Sequence, residues 1–162
     1  MPQDGPKTPP KAPALIAAAI LLAAPLTASF EGLRTKPYHD PGDGRLTVCY
    51  GETERTMRTY TADECKMLLR SREASDYAPK VWGCVPQIIT RREAFAASVD
   101  AAYNAGVAAF CRSPMARKFN AGDWAGGCAA FQNWRVTGGG RVLPGLVRRR
   151  AAEARLCAKG TG

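Results

Sequence analysis

FEGLRTKPYHDPGDGRLT, residues 30–47, is the stretch whose reading decides the fold. An uncharged apolar run ends in Phe30, and Gly32 and Pro37 stop its helix soon after Glu31. Pro41-Gly42-Asp43-Gly44 reads as a turn, and Arg45 to Gly51 as a strand returning alongside the segment before it. A helix end followed by a hairpin lets two carboxylates, Glu31 and Asp40, face one another across a cleft.

Working upstream, residues 12–30, APALIAAAILLAAPLTASF, carry no charge and approach the length a helix needs to cross hydrocarbon. Alanine, Pro13, Pro25, Thr27 and Ser29 keep that helix only weakly hydrophobic. Three readings are open for 12–29: an uncleaved anchor, a signal peptide cleaved after Ala28, or a buried N-terminal helix of a cytosolic protein. Cleavage after Ala28 would strip Glu31 of the helix that should hold it, so the uncleaved anchor is the leading expectation. Residues 1–11 are polar and proline-rich, which predicts a disordered leader.

Downstream the chain is helical. Thr56 to Tyr60 reads as a hairpin edge or loop. Thr61-Ala62-Asp63-Glu64 has the form of a capping box and predicts a helix through about Tyr77, with Pro79 ending that region. Thr90-Arg91-Arg92-Glu93 repeats the box and opens the most regular helix, in which Phe95, Val99, Ala102 and Tyr103 share a face. That helix is expected to be the central buried one and to stop at Asn104-Ala105-Gly106. Shorter helices follow Ser113-Pro114 and Asp123, and the last runs from about Pro144 to Cys157. Its Arg148, Arg149 and Arg150 are expected mostly at the surface, with a flexible tail over 158–162. There is no internal repeat, so the expected architecture is α+β: residues 30–157 as a mainly helical domain with a small β-hairpin lobe, preceded by an N-terminal apolar helix.

A chain of 162 residues has room for one domain or two small lobes sharing a core. Its formal net charge of +9 suits an anionic polymer or surface, for which nucleic acid, anionic lipid and bacterial cell wall are candidates. The basic residues are dispersed apart from Arg148 to Arg150, and no helix-turn-helix or zinc motif is visible, so no specific nucleic-acid partner is expected. Six cysteines, at 49, 65, 84, 111, 128 and 157, form no CxxC pair, and His39 is the only histidine, so neither a metal nor a cofactor is expected. An even count spread along the chain suggests disulfides and an oxidising compartment, against the alternative of small buried thiols. Six cysteines allow fifteen pairings, which the sequence does not choose among. The working expectation is 49 with 65, 84 with 111 and 128 with 157.

Hydrolysis of a glycosidic bond needs one carboxylic acid to protonate the leaving oxygen and one carboxylate to activate water or attack the anomeric carbon. Glu31 suits the first role: a helix C-terminus disfavours negative charge, and apolar neighbours favour the neutral form, so an upward pKa is expected. Asp40, in a polar turn segment, suits the ionised partner, and the Thr47 hydroxyl could place a water with it. Each has a plainer reading. Glu31 could be a solvated helix-end residue, Asp40 or Asp43 a turn cap, Thr47 a β-branched strand residue, and His39 a local hydrogen-bonding partner.

Three groups of residues, Phe30-Glu31-Gly32-Leu33-Arg34, Pro37-Tyr38-His39-Asp40-Pro41 and Leu46-Thr47-Val48-Cys49-Tyr50-Gly51-Glu52-Thr53, together resemble the phage-type lysozymes, glycoside hydrolase family 24. The likeness extends over nearly everything from 30 to 157, through Asn104-Ala105-Gly106, Arg117 to Asp123, Trp134 and Gly145 to Arg150. The resemblance implies a lysozyme-like fold and an endolysin that cleaves the bond between N-acetylmuramic acid and N-acetylglucosamine in peptidoglycan. Glu31, Asp40 and Thr47 stand at its catalytic glutamate, aspartate and threonine. Two departures are visible. The Asp40 to Thr47 interval looks one residue longer than the commonest pattern, which makes Asp43 a rival second carboxylate, and Glu52 stands where histidine is commoner, which suits a structural or site-lining role.

Residues 12–29 also look like the signal-arrest-release segment of some endolysins of phages infecting Gram-negative bacteria. That likeness implies export by the host machinery, transient inner-membrane residence on the periplasmic side, release into the periplasm on loss of membrane potential, and action as a monomer. Disulfide rearrangement around Cys49 is an alternative trigger. Two rival functions are a non-catalytic cationic cell-wall or membrane-acting protein, which leaves the acid, aspartate and threonine layout unexplained, and a lytic transglycosylase, which needs only the glutamate.

Overall fold

The structure is a computed structural model, and it describes residues 12–135 and 139–161. The expected disordered leader, 1–11, lies outside the described residues. Helix α1 (Ala12–Phe30) leads into a hairpin of β1 (Arg34–His39) and β2 (Leu46–Cys49). Then follow α2 (Ala62–Arg72), a π-helical turn (Glu73–Tyr77), α3 (Ala78–Cys84), a 3-10 turn (Pro86–Thr90), α4 (Arg92–Ala105), α5 (Val107–Cys111), α6 (Pro114–Asn120), α7 (Trp124–Ala130), a 3-10 turn (Phe131–Asn133) and α8 (Pro144–Lys159). This is the expected mainly helical fold with one small hairpin and an apolar N-terminal helix.

The strands pair antiparallel with Tyr38 opposite Thr47 and His39 opposite Leu46, and a register irregularity lies between Arg34 and Tyr38. Helix α4 is the centre of the molecule. Nine consecutive residues, Ala94 to Asp100 with Ala101 and Ala102, are buried on all sides. Helices α1, α3, α5 and α8 pack around it, and its many alanines let their backbones approach closely. Helix α1 turns Ala19, Ile20, Ala23, Ala24 and Thr27 inward, at the spacing of one helical face, and leaves Leu21 exposed. It is also long and apolar enough to cross a membrane, with a mean hydropathy of 1.9.

The first capping box forms as expected: Thr61 Oγ1 accepts from the Glu64 amide, and the Glu64 carboxylate accepts from the Thr61 amide. The second does not. Thr90 closes a 3-10 turn, so its hydroxyl donates backward to the Gln87 carbonyl, Arg91 becomes the N-cap without a side-chain bond, and Glu93 pairs with Arg92 at 2.8 Å. Pro79 does not end the region after α2 either. The helix continues through the π-helical turn into α3, where Pro79 occupies the first turn and needs no amide partner.

The cysteines pair as expected: Cys49 with Cys65 ties the hairpin to α2, Cys84 with Cys111 ties α3 to α5, and Cys128 with Cys157 ties α7 to α8. Helix α8 runs to Lys159, two residues into the expected tail. The expectation of surface arginines there is overturned. Arg148 is exposed, but Arg149 and Arg150 are buried, because they lie with Glu153, Ala154 and Cys157 on the face of α8 that packs on α4.

Candidate active site

The Glu31 amide donates to the Thr27 carbonyl at 2.9 Å, so the chain keeps its helical course one residue beyond α1 before Gly32 releases it. The carboxylate, still 30% exposed, accepts from Arg149 Nη1 at 2.8 Å. Apolar surroundings were expected here; a guanidinium faces the carboxylate instead. Arg149 is itself fixed from behind. Its Nη2 donates to Asp100 Oδ1 at 2.7 Å and its Nε to Asp100 Oδ2 at 3.1 Å, and the guanidinium lies over the Phe30 ring at 5.4 Å. The fork matches one carboxylate bidentately and leaves its remaining arm for the other.

Burial works against both partners of the inner pair. Desolvation is the largest single influence on Asp100, yet the hydrogen bonds of Arg149, Glu153 and Thr27 and the charge of Arg149 together outweigh it and hold the carboxyl below the usual carboxylate range. Arg149 is pushed up for the corresponding reason, desolvation being outweighed by its bonds to Asp100 and Glu31. Three further groups complete this interior. Thr27 of α1 lies 2.5 Å from Glu73 Oε1 and 2.9 Å from Asp100 Oδ1. Glu73 is pushed up to about 7 by burial. Glu153, 4.0 Å from Arg149 Nε and 2.5 Å from Arg150 Nη1, is raised well above the carboxylate range by burial and by the adjacent Asp100. Two guanidinium groups thus serve four carboxyls, and two of the four are pushed toward the neutral form.

The hairpin holds the other two expected residues together. The carbonyl of Arg45 accepts from the Asp40 amide at 2.8 Å and from the Thr47 hydroxyl at 3.0 Å. Thr47 is buried, and Asp40 is half-buried. Asp40 Oδ1 accepts from the Gly42 amide at 2.7 Å and the Asp43 amide at 3.3 Å, so the side chain also ties its own turn. Asp43 Oδ1 accepts from the Arg45 amide at 2.9 Å and is exposed, which gives the rival carboxylate a turn-closing contact. His39 Nδ1 reaches the Gly44 carbonyl at 3.2 Å, a local contact. Among the described residues, no hydrogen bond or ion pair joins the Glu31 group to Asp40 or Thr47.

Glu52 is buried just past β2, 3.7 Å from Arg72 and 3.6 Å from Arg55, and burial raises its pKa against the pull of both cations. It lines a cleft of about 580 Å³ with Arg55, Arg72, Asp76, Lys80 and Val107, whose lining does not include Glu31, Asp40 or Thr47. Tyr103 donates to the Tyr50 carbonyl at 2.5 Å, and burial raises its hydroxyl pKa, with the charges of Glu31 and Glu52 adding to the effect. Among the described residues there is no group of three or more His, Cys, Asp or Glu side chains that could hold a metal ion.

Sequence reasoning missed Arg149, Asp100, Glu73 and Thr27. The arginine triplet was visible, but a helix presents successive residues about 100° apart, and only the packing face tells which of them points inward. Thr27 had one signal, a hydroxyl on an otherwise apolar face four residues before Glu31.

Residues 28–153 match the Phage lysozyme family. The chain is 32% identical over 132 residues to an endolysin of Acyrthosiphon pisum secondary endosymbiont phage 1, covering 78% of this chain and 88% of that protein. It is 34% identical over 131 residues to a SAR-endolysin of Escherichia phage Mu, covering 76% and 71%. Among solved structures it is similar to the muramidase domain of SpmX from Asticaccaulis excentricus, with a TM-score of 0.67 and 33% identity, covering 83% of this chain and 93% of that one.

Proposed function

The chain belongs to the phage lysozyme family, and from that premise we propose that it is an endolysin acting on bacterial peptidoglycan, with Glu31, Asp40 and Thr47 as its reacting groups. Its chemistry is that of a glycosidase: water cleaves the β-1,4 bond between N-acetylmuramic acid and N-acetylglucosamine. Glu31 delivers a proton to the leaving oxygen. Asp40, whose Oδ1 is taken up by its own turn, has its second oxygen for the attacking water, and Thr47 helps place that water. The observation that carries this reading is Glu31 itself, a half-exposed carboxylate oriented at 2.8 Å by an arginine that the protein buries and fixes bidentately. A surface glutamate with no task has no need of such a support.

Loss of turbidity of outer-membrane-permeabilised cells tests it. Glu31→Gln is expected to lower lytic activity by about a thousandfold or more, as removal of a general acid in an otherwise intact site does. Equal lysis by both proteins would return the activity to its cationic surface. Mass spectrometry of the released muropeptides is expected to show reducing ends hydrated by water; anhydro ends would make the enzyme a transglycosylase.

The relative of phage Mu is a SAR-endolysin, and α1 carries the weak, uncharged hydrophobicity that a releasable anchor needs. In this reading the host export machinery inserts α1 uncleaved into the inner membrane, the rest of the chain faces the periplasm, and release lets α1 fold onto α4. Replacing Ala17 and Ala18 by Leu strengthens the anchor by about 1 kcal/mol or more. The doubly substituted protein is expected to stay in the membrane fraction and to delay lysis; unchanged release kinetics would refute the release model.

A further inference from the structure

Thr27 has no exposure to solvent, in a helix without a single charged residue from 12 to 30. Its hydroxyl contacts two carboxyls, Glu73 at 2.5 Å and Asp100 at 2.9 Å. A hydroxyl has one hydrogen and can donate to only one of them, so the other contact requires a hydrogen on the carboxyl. Asp100 accepts two bonds from Arg149 and is held as the carboxylate. The second hydrogen therefore belongs to Glu73, whose burial pushes its pKa to about 7 and whose other oxygen is buried without a hydrogen-bond partner among the described residues. Donation then runs one way: Glu73 to Thr27, Thr27 to Asp100, and Arg149 to both Asp100 and Glu31.

We propose that Thr27 is a positioning residue for the hydrolysis: its hydroxyl, receiving the Glu73 proton's hydrogen bond, holds Asp100 and through it Arg149 in the orientation that sets Glu31. Docking of α1 thus supplies the last link of the support as well as the glutamate itself. The inference rests on the reading of Glu31 as the reacting acid. Glu73 occupies the first residue of the π-helical turn, a widened turn that is frequent at functional sites. The groups facing it are Thr27 alone from α1, Asp100 from α4, and Arg149 from α8, with Glu153 beyond Asp100. Once Glu73 ionises, two carboxylates compete for one hydroxyl hydrogen, and among the described residues Arg149 is the one cation acting on Glu73. The pull on Arg149 is then toward the interior and away from Glu31.

Kinetics of the purified full-length protein on soluble glycan strands test the proposal. Thr27→Val removes the hydroxyl at nearly constant volume and is expected to lower kcat about tenfold with KM changed less than about twofold, while Thr27→Ser restores kcat. In the parent, kcat is expected to fall between about pH 6 and pH 8.5, and Glu73→Gln, which keeps an N–H donor at every pH, is expected to flatten that fall. Parental kcat in folded Thr27→Val, a loss that serine does not recover, or a Glu73→Gln profile that overlays the parent's would each overturn the proposal. If Thr27→Val does not fold, the Glu73→Gln profile decides alone. Glu31→Gln measured alongside separates the two readings: residual full activity there removes the premise, whereas an inactive Glu31→Gln leaves the other variants to judge the positioning chain by itself.

Discussion

Arg149 does three things with one guanidinium: it neutralises Asp100 in the interior, reaches the partly exposed Glu31, and covers the Phe30 ring. An ammonium is a point charge on a flexible stem and cannot bind Asp100 bidentately while holding Glu31 as well. Arg149→Lys is therefore expected to fold and to lose about ten- to a hundredfold in kcat, read on soluble glycan strands. Arg149→Met is expected to behave differently. It leaves Asp100 buried without its partner, and chemical denaturation should show a loss of about 3–5 kcal/mol. The contrast separates orientation of Glu31 from neutralisation of Asp100, since only the second is a debt of the folded state as a whole.

At the scale of elements, the junction of α1 with α4 and the π-helical turn is where polar chemistry enters an apolar core. The Glu73 carboxyl carries a folded-state pKa of about 7 against an ordinary 4.5. Below 4.5 the folded and unfolded chains both hold the proton, and its contribution to stability is complete. Between 4.5 and 7 the unfolded chain releases the proton while the fold keeps it, so stability falls with rising pH, and above 7 the contribution is gone. The shift corresponds to about 3 kcal/mol across that window. Denaturant midpoints at successive pH values are expected to decline from pH 5 to 7.5 in the parent and to decline less in Glu73→Gln; parallel curves would show that Glu73 ionises freely in the fold.

For the whole molecule, the three disulfides close segments with sequence separations of 16, 27 and 29 and join hairpin to helix, α3 to α5, and α7 to α8. Chain-entropy arithmetic gives each about 3–4 kcal/mol. Each kcal/mol moves the midpoint of a domain this size by about 2–4 °C, so full reduction is expected to lower Tm by about 10 °C or more, which calorimetry with and without reductant would read. Such a fold is matched to an oxidising compartment. The charge of +9 suits an anionic polymer or surface, and α1 is both a helix of membrane length and a wall of the core.

The sequence by itself determined the local chemistry: the end of α1 just before Glu31, the hairpin whose turn carries Asp40 and returns Thr47 opposite Tyr38, the Thr61 capping box, and the family to which 28–153 belong. These are properties of neighbours in the chain, where turn residues, caps and periodicity act over a few positions. Even there, Thr90 shows the limit, because the helical turn before it changed which carbonyl its hydroxyl could reach. Only the tertiary structure decided that Arg149 is buried behind Glu31, that Asp100 fixes it, and that Thr27 and Glu73 meet at Asp100, contacts that join residues 46 to 118 positions apart. A buried charge is stable only beside its partners, and those partners come from four different elements. No window along the chain contains them together, so the support of the site became legible only when α1, the π-helical turn, α4 and α8 were packed.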